Sequence, residues 1–426
     1  MMRVLFITAY YPPCDYGWGY MRICEQVADG LQARGHAVAV LTSHYRHGAE
    51  FKPYPVSRTL PVDPDWHKRT PAAWQFFVGR RRREQQAVAA LQEMVETFQP
   101  DVLFVWHAHG LPRVLLQAAE NMSLPTAYYF ANYLPEMPDE YVPYWQSLPA
   151  NPLFRVLKGA LARVALWQLA REGKPIRLQY AHTISVSTYV RDRLRRQGLI
   201  GADAVVIPNG VDRAVFHSNG RSSHSAPNQT IRAVIAGRVA PEKGIHTVLH
   251  ALGKLRQQNR LDRLHLTIIG DGPADYRAML DELLQQYRLG EFVTFAPPVN
   301  VTEMPSVYAN HDVLLLPSEW DEPLSCTMLE AMACGLLVIG TTTGGSGEAL
   351  FHERTGLVFP PGDAEALAEL LDRIQKEPTL VARLAMAGEQ EVITRFDMTH
   401  SVARIEAYLA GLLGLPEVEA HVTAES

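Results

Sequence analysis

Short apolar runs recur along the chain, separated by longer stretches with helical spacing, the pattern of strands alternating with helices around parallel sheets. In the first half the predicted strands are residues 4–8, 37–41, 101–106, 126–130, 182–186 and 204–207. In the second half they are 232–236, 265–269, 292–295, 313–316 and 337–339. Two such series predict two α/β domains. Residues 218–229 are polar and turn-rich with no period, and this loop is placed at the start of the second domain, just after a crossover near Pro208. Helical spacing returns at 364–375 and 380–392, a last apolar helix covers about 400–413, and residues after Pro416 read as a frayed tail. No repeat of solenoid spacing is present.

The length of 426 residues suits two or three domains, and a 47% hydrophobic share can fill two cores. With 45 acidic and 40 basic residues the formal charge is −5, so global charge gives no sign of nucleic acid as a partner. The apolar run at 4–7 is too short for a signal-peptide core, and no uninterrupted apolar stretch reaches the roughly 18 residues of a membrane span. Cys14, Cys24, Cys326 and Cys334 form no Cys-x2-Cys pair and read as reduced thiols. A cytoplasmic protein is the expectation.

Two segments about eighty residues apart carry the candidate chemistry. In the first, Gly237-Arg238-Val239-Ala240-Pro241-Glu242-Lys243-Gly244, a buried strand leads into a loop where Pro241 suits a helix start. Arg238 and Lys243 then stand near free backbone N–H groups and a positive dipole end, a setting for a diphosphate. A basic strand-to-helix loop is also a common solvated feature. In the second segment, Glu322 precedes Pro323, again read as a helix start, and Leu324, Ser325, Cys326 and Thr327 offer N–H donors without charge. Glu330 lies two turns on. Cys326 is read as a small packing residue.

The pattern Gly-Arg-x4-Lys-Gly followed by Glu-x7-Glu, in the setting Glu322 to Ala333, resembles the retaining glycosyltransferases of family 4. Residues 207–212, 270–273, 316–318, Gly344-Gly345 ahead of Glu348, and 355–358 extend the likeness, which runs from about Val4 to Leu413 and is stronger in the second half. The resemblance implies a GT-B fold: an N-terminal acceptor-side domain over 1–207 with a returning helix at about 396–413, a nucleotide-sugar-binding domain over 208–395, a tail at 414–426, and a cleft between the domains. It implies a nucleotide-diphosphate sugar as donor substrate, no metal and no other cofactor. Arg238 and Lys243 are expected to stabilise the departing diphosphate. Glu330 is expected to accept from ribose hydroxyls, and Glu322 to lie by the donor sugar. Asn209, Gly237, Gly270, Val299, Leu324, Ser325, Cys326 and Thr327 complete the expected donor contacts.

The loop after the first strand holds Gly17 and Gly19, which imitate a dinucleotide fingerprint, but Arg22 takes the third glycine's place. In the family a Pro-Pro-x2-Gly-Gly loop approaches the donor phosphate here, and Trp18 interrupts that pair; a simple structural turn is the other reading. His107 and His109, after the strand at 101–106, could share a strand face and contact the acceptor, or serve as ordinary strand-end histidines. Ala131, followed by Asn132, stands where many family members carry histidine. The one Asp-x-Asp, Asp63-Pro64-Asp65, sits in a proline-rich loop instead of following an apolar strand.

The basic stretches at 79–84 and within 153–169 raise peripheral contact with an anionic membrane, weighed against a solvated helix with its apolar stripe on the core. The reading is thus a retaining, metal-independent glycosyltransferase whose acceptor is a glycan, lipid or small molecule. A sugar-nucleotide epimerase of the same fold and a catalytically silent nucleotide-sugar-binding scaffold are the alternatives.

Overall fold

Among the described residues thirteen short segments, most of them rich in β-branched, leucine or aromatic side chains, pair as parallel strands in two separate sheets. The computed structural model describes residues 1–14, 18–45, 48–49, 51–62, 74–139, 141–147, 155–218 and 229–416. Gly17, the Asp63-Pro64-Asp65 segment and most of the 218–229 loop lie outside the described residues, as does the Trp18 side chain. One structural unit comprises Met1–Val186, Val190–Ile207 and Val402–Ser426; the other comprises Ser187–Tyr189 and Pro208–Ser401.

In the first unit the strands are β1 (Arg3–Ile7), β2 (Ala37–Ser43), β3 (Val56–Leu60), β4 (Val102–Val105), β5 (Thr126–Phe130), β6 (His182–Ser185) and β7 (Val205–Val206). They lie in the order β3-β2-β1-β4-β5-β6-β7. Every residue of β4 and β5 is buried, which is why these runs lack the alternation of a half-exposed strand. β3 was not expected from the sequence. Its residues, Val56-Ser57-Arg58-Thr59-Leu60, are mostly polar, because an edge strand needs an apolar partner on one side only.

The helix Met398–Leu412 begins in the second unit, and from Val402 onward belongs to the first. There Val402 lies so close to Gly30 that a Cβ on the glycine would stand 2.8 Å from its methyl group. Buried Glu406 accepts from Arg34 Nε at 2.5 Å and pairs with His36 Nε2 at 2.6 Å. The Met2 amide donates to His36 Nδ1, so Nε2 carries the proton given to Glu406.

The basic run at 79–84 does open a helix, Arg80–Phe98, with Arg81 and Arg82 exposed and Arg80 turned inward. Arg80 is completely buried: it pairs with Glu84 at 3.0 Å and Glu172 at 2.6 Å, and its guanidinium lies 4.9 Å from the Phe76 ring centre. Lys174 also pairs with Glu84. A fully desolvated arginine persists only with such partners. The helix Arg155–Arg171 turns Ala162, Ala165 and Leu169 toward Phe76 and Trp145, yet leaves Val156, Leu157, Val164 and Trp167 exposed on its other side.

The second unit holds β8 (Ile231–Ala236), β9 (Leu264–Ile269), β10 (Val293–Ala296), β11 (Val313–Leu316), β12 (Leu337–Gly340) and β13 (Leu357–Val358), ordered β10-β9-β8-β11-β12-β13. Its helices Ile245–Gln257 and Ala364–Lys376 pack together over one apolar core.

Candidate functional site

The chemistry of the second unit gathers on the loops that leave β8, β9 and β11, at the carboxyl ends of parallel strands, where open α/β sheets bind ligands. After β8, Gly237 leads to Arg238, which is largely exposed and pairs with Glu242 at 2.9 Å. Pro241 opens only a three-residue 3-10 turn, Pro241–Lys243, not the expected helix. Gly244 then adopts φ 65°, and the α-helix starts at Ile245. The interruption is steric. A Cβ at residue 244 would lie 2.0 Å from the Pro317 carbonyl oxygen, so the chain turns through glycine to bring the two loops into contact.

That contact places Lys243 against the second segment. Lys243 Nζ lies 2.5 Å from Glu322 Oε1, and the Ser318 hydroxyl donates to the same oxygen at 2.6 Å. Glu322 is buried, and Lys243 also sits 5.4 Å from the Trp320 ring centre. Glu319, on the same loop, accepts from Thr247 Oγ1 at 2.6 Å. The helix expected at Pro323 begins instead at Cys326, because Ser325 supplies the cap: its hydroxyl accepts from the Met328 amide at 3.3 Å. The first-turn amides of Cys326 and Thr327 have no intrahelical acceptor and remain donors, while Leu324 is buried.

Within this helix, Glu330 is half-buried and accepts from the Tyr308 hydroxyl at 3.2 Å. Buried Asn209 contributes Nδ2 to the Cys326 sulfur at 3.5 Å. Burial, then the carboxylates of Glu330 and Glu322, push the Cys326 thiol up to about 12, which keeps it protonated and unreactive. Gly270, after β9, packs on Gly237: a Cβ there would stand 1.8 Å from the Gly237 carbonyl oxygen. Val299 is half-buried, just before the turn Val301–Glu303.

The structure therefore brings Lys243 and Glu322 together, Asn209 beside Cys326, and Gly237 onto Gly270, with Arg238 held by Glu242. Sequence reasoning missed Ser318, Tyr308 and Trp320 as parts of this cluster. Ser318 was legible only as the end of a Leu-Pro-Ser match, and Tyr308 lies in the short helix Met304–Ala309 with no motif around it.

In the first unit Gly19 falls inside the helix Trp18–Ala33, not in a loop. The expectation that His107 and His109 share a strand face fails, since β4 ends at Val105 and both follow it. Their rings are 6.3 Å apart at 77°. Burial, then the neighbouring His109, push the His107 imidazole down to about 4. His109 is exposed and borders a cavity of about 450 Å³, whose wall includes Leu111, Leu116, Asp139, Tyr141 and Tyr180. Among the described residues no cluster of His, Cys, Asp and Glu has the arrangement of a metal site, and no helix is long and apolar enough to cross a membrane.

Comparison with known proteins gives matches along most of the chain. Residues 19–215 match the family model described as Glycosyltransferase Family 4, and residues 218–391 the model described as Glycosyl transferases group 1. The chain is 27% identical to glycogen synthase of Mycobacterium tuberculosis over 435 aligned positions, covering 97% of this chain and 96% of that one. It is 32% identical to D-inositol 3-phosphate glycosyltransferase of Pseudarthrobacter chlorophenolicus over 177 positions, which is 41% of this chain and 42% of the relative. Among solved structures, sucrose-phosphate synthase from Thermosynechococcus elongatus superposes with a TM-score of 0.72 at 21% identity, covering 97% of this chain and 100% of that one. The Anabaena protein HepE in complex with UDP and glucose gives 0.67 at 19% identity, with 96% and 100% covered. At these identities the structural likeness is one of fold.

Proposed function

We infer that this chain, which belongs to the group 1 glycosyltransferases of family 4 and has the GT-B fold, is a retaining, metal-independent enzyme that moves a sugar from a nucleotide-diphosphate donor to an acceptor hydroxyl. The observation that carries this reading is the Lys243–Glu322–Ser318 cluster beside the capped helix start at Cys326. A cation held in place before the donor arrives stabilises charge as it develops, without reorganising during the reaction.

In this reading the bond between the anomeric carbon and the β-phosphate oxygen breaks while the acceptor oxygen bonds to that carbon on the same face. The acceptor proton passes to the departing diphosphate. Lys243 and Arg238 take up the negative charge that grows on the β-phosphate, a task a divalent ion performs elsewhere. Glu322 lies by the donor sugar, and Glu330, oriented by Tyr308, accepts from the ribose hydroxyls. Asn209, Gly237, Gly270, Val299, Leu324, Ser325, Cys326 and Thr327 line the donor. His109 contacts the acceptor, a glycan, lipid or small molecule.

Peripheral contact with anionic membrane is supported by the exposed Val156, Leu157, Val164 and Trp167 beside Arg163 and Arg171 on one helix. Retention on anionic vesicles that salt abolishes would support that contact.

The test of the main reading is calorimetric titration with UDP, GDP, ADP and their common sugars, in chelator and again with divalent metal, followed by mass analysis of products. Binding in chelator, lost in Glu330→Ala, supports the donor assignment. Activity that appears only with metal overturns metal independence, and a donor isomer without transfer overturns transfer.

A further inference from the structure

The cavity beside His109 has a character of its own. Its wall is mainly apolar: Leu111, Leu116, Leu134 and Met137, with Tyr141 and Tyr180. Such a wall solvates a hydrocarbon or aromatic body well, whereas each sugar hydroxyl turned toward it loses a hydrogen bond to water and finds none in return.

Among its polar lining residues, Asp139 stands out. Asp139 is 3% exposed and lines the cavity. Its Oδ1 accepts from the Tyr141 amide at 3.3 Å and so starts the helix Tyr141–Gln146. Its Oδ2 is buried with no partner among the described residues. A buried carboxylate oxygen left unpaired is costly, and it can only accept. A ligand that donates there would satisfy it. The Arg113 guanidinium in the same wall, donating to Ile176 O at 3.2 Å and to Met137 O, disfavours an ammonium and favours a neutral hydroxyl as that donor.

We propose that this cavity is the acceptor pocket, that it takes a neutral acceptor whose hydroxyls are joined to an apolar or aromatic body, and that Asp139 Oδ2 selects it by accepting from one hydroxyl. The proposal rests on the glycosyltransferase reading and narrows its acceptor class. A cavity of about 450 Å³ is in the range of small-molecule sites and suits one such body.

The experiment uses the full chain and matched probes that share a sugar and differ in the body attached: phenyl β-D-glucoside and n-octyl β-D-glucoside against D-glucose and maltotriose. Affinities are read by calorimetry with UDP present and absent. The aryl and alkyl glycosides are expected to bind at least about tenfold more tightly than glucose or maltotriose, since burying a phenyl or octyl group is worth more than one factor of ten. Asp139→Asn keeps the helix-capping oxygen and removes the free acceptor, so it should weaken the glycosides several-fold. Ser147→Trp, at an exposed position on the cavity wall, should block them. Thermal unfolding checks that both variants fold.

Equal affinity for all four probes, or a preference that survives both substitutions, overturns the proposal. If UDP or another nucleotide binds and no glycoside does, the pocket assignment falls while the donor reading stands. If glycosides bind with the expected preference and no nucleotide does, the donor reading falls instead.

Discussion

Replacing Lys243 with methionine keeps the length of the side chain and removes the charge that faces Glu322. In the folded protein Nζ is 2.5 Å from Glu322 Oε1, with side-chain exposures of 24% and 8%. Breaking a fully buried pair costs about 3–5 kcal/mol. Here the cost is smaller, about 1–3 kcal/mol, because Ser318 still donates to Glu322 and Lys243 is partly solvated. The effect on rate is separate: loss of one preorganised donor to the transition state is worth about 2–4 kcal/mol, or a fall in kcat/KM of about 30- to 1,000-fold. Lys243→Met should show both losses, by thermal unfolding and by transfer or donor-hydrolysis kinetics. The double variant Lys243→Met/Glu322→Gln removes both charges, so it should regain most of the stability and none of the rate. If kcat/KM stays within about threefold of the parent, or recovers together with Tm in the double variant, Lys243 is a structural partner of Glu322 and the assignment fails.

Tyr308→Phe removes the hydroxyl that orients Glu330 and should weaken nucleotide binding by about 1 kcal/mol, measured by calorimetry, with no change for ligands that lack ribose. Gly270→Ala forces a Cβ to 1.8 Å from the Gly237 oxygen at φ 149° and should cost about 3 kcal/mol or more of stability, whereas Gly290→Ala, with nothing within 4 Å, should be silent in the same thermal scan. With its thiol near 12, Cys326 holds only about one part in ten thousand as thiolate at pH 8, so peptide mapping after iodoacetamide should find it unmodified. His107 has a folded value near 4, below its ordinary 6.5, so the unfolded chain takes up the proton first and stability falls as pH drops from 6.5 toward 4. His107→Phe should flatten that part of the unfolding-midpoint profile; an unchanged slope would assign it to other groups.

The parallel architecture was legible because buried parallel strands are continuous apolar runs, as in Val102-Leu103-Phe104-Val105 and Val313-Leu314-Leu315-Leu316. The edge strand β3, with three polar residues of five, and the two-residue β13 present no such run, whereas the edge strands β7 and β10 were read from theirs. In the site, Lys243 and Glu322 were legible as chemistry but not as neighbours. Their contact depends on Gly244 lying under Pro317, a through-space constraint with no local signature. Proline misled the helix starts at both loops: fixed φ permits a first turn, but an available cap decides where it begins, and Ser325 outweighs Pro323. The burial of Arg80 was invisible because its partner Glu172, and the Lys174 that shares Glu84 with it, lie some ninety residues away. Asp139 and the aromatic wall around it follow no motif, since apolar cavities are made by packing and not by spacing.

The ends of the first unit come from distant parts of the gene. Gly30, Arg34 and His36 need Val402 and Glu406 to cover them, while the whole second unit is read out between these two contributions. During synthesis the first sheet must therefore wait until the whole second unit has been made before the helix Met398–Leu412 is available. A ribosome that stops anywhere before that helix leaves His36 without its carboxylate, and a fragment ending at residue 207 should be rescued by the peptide 398–416 supplied separately.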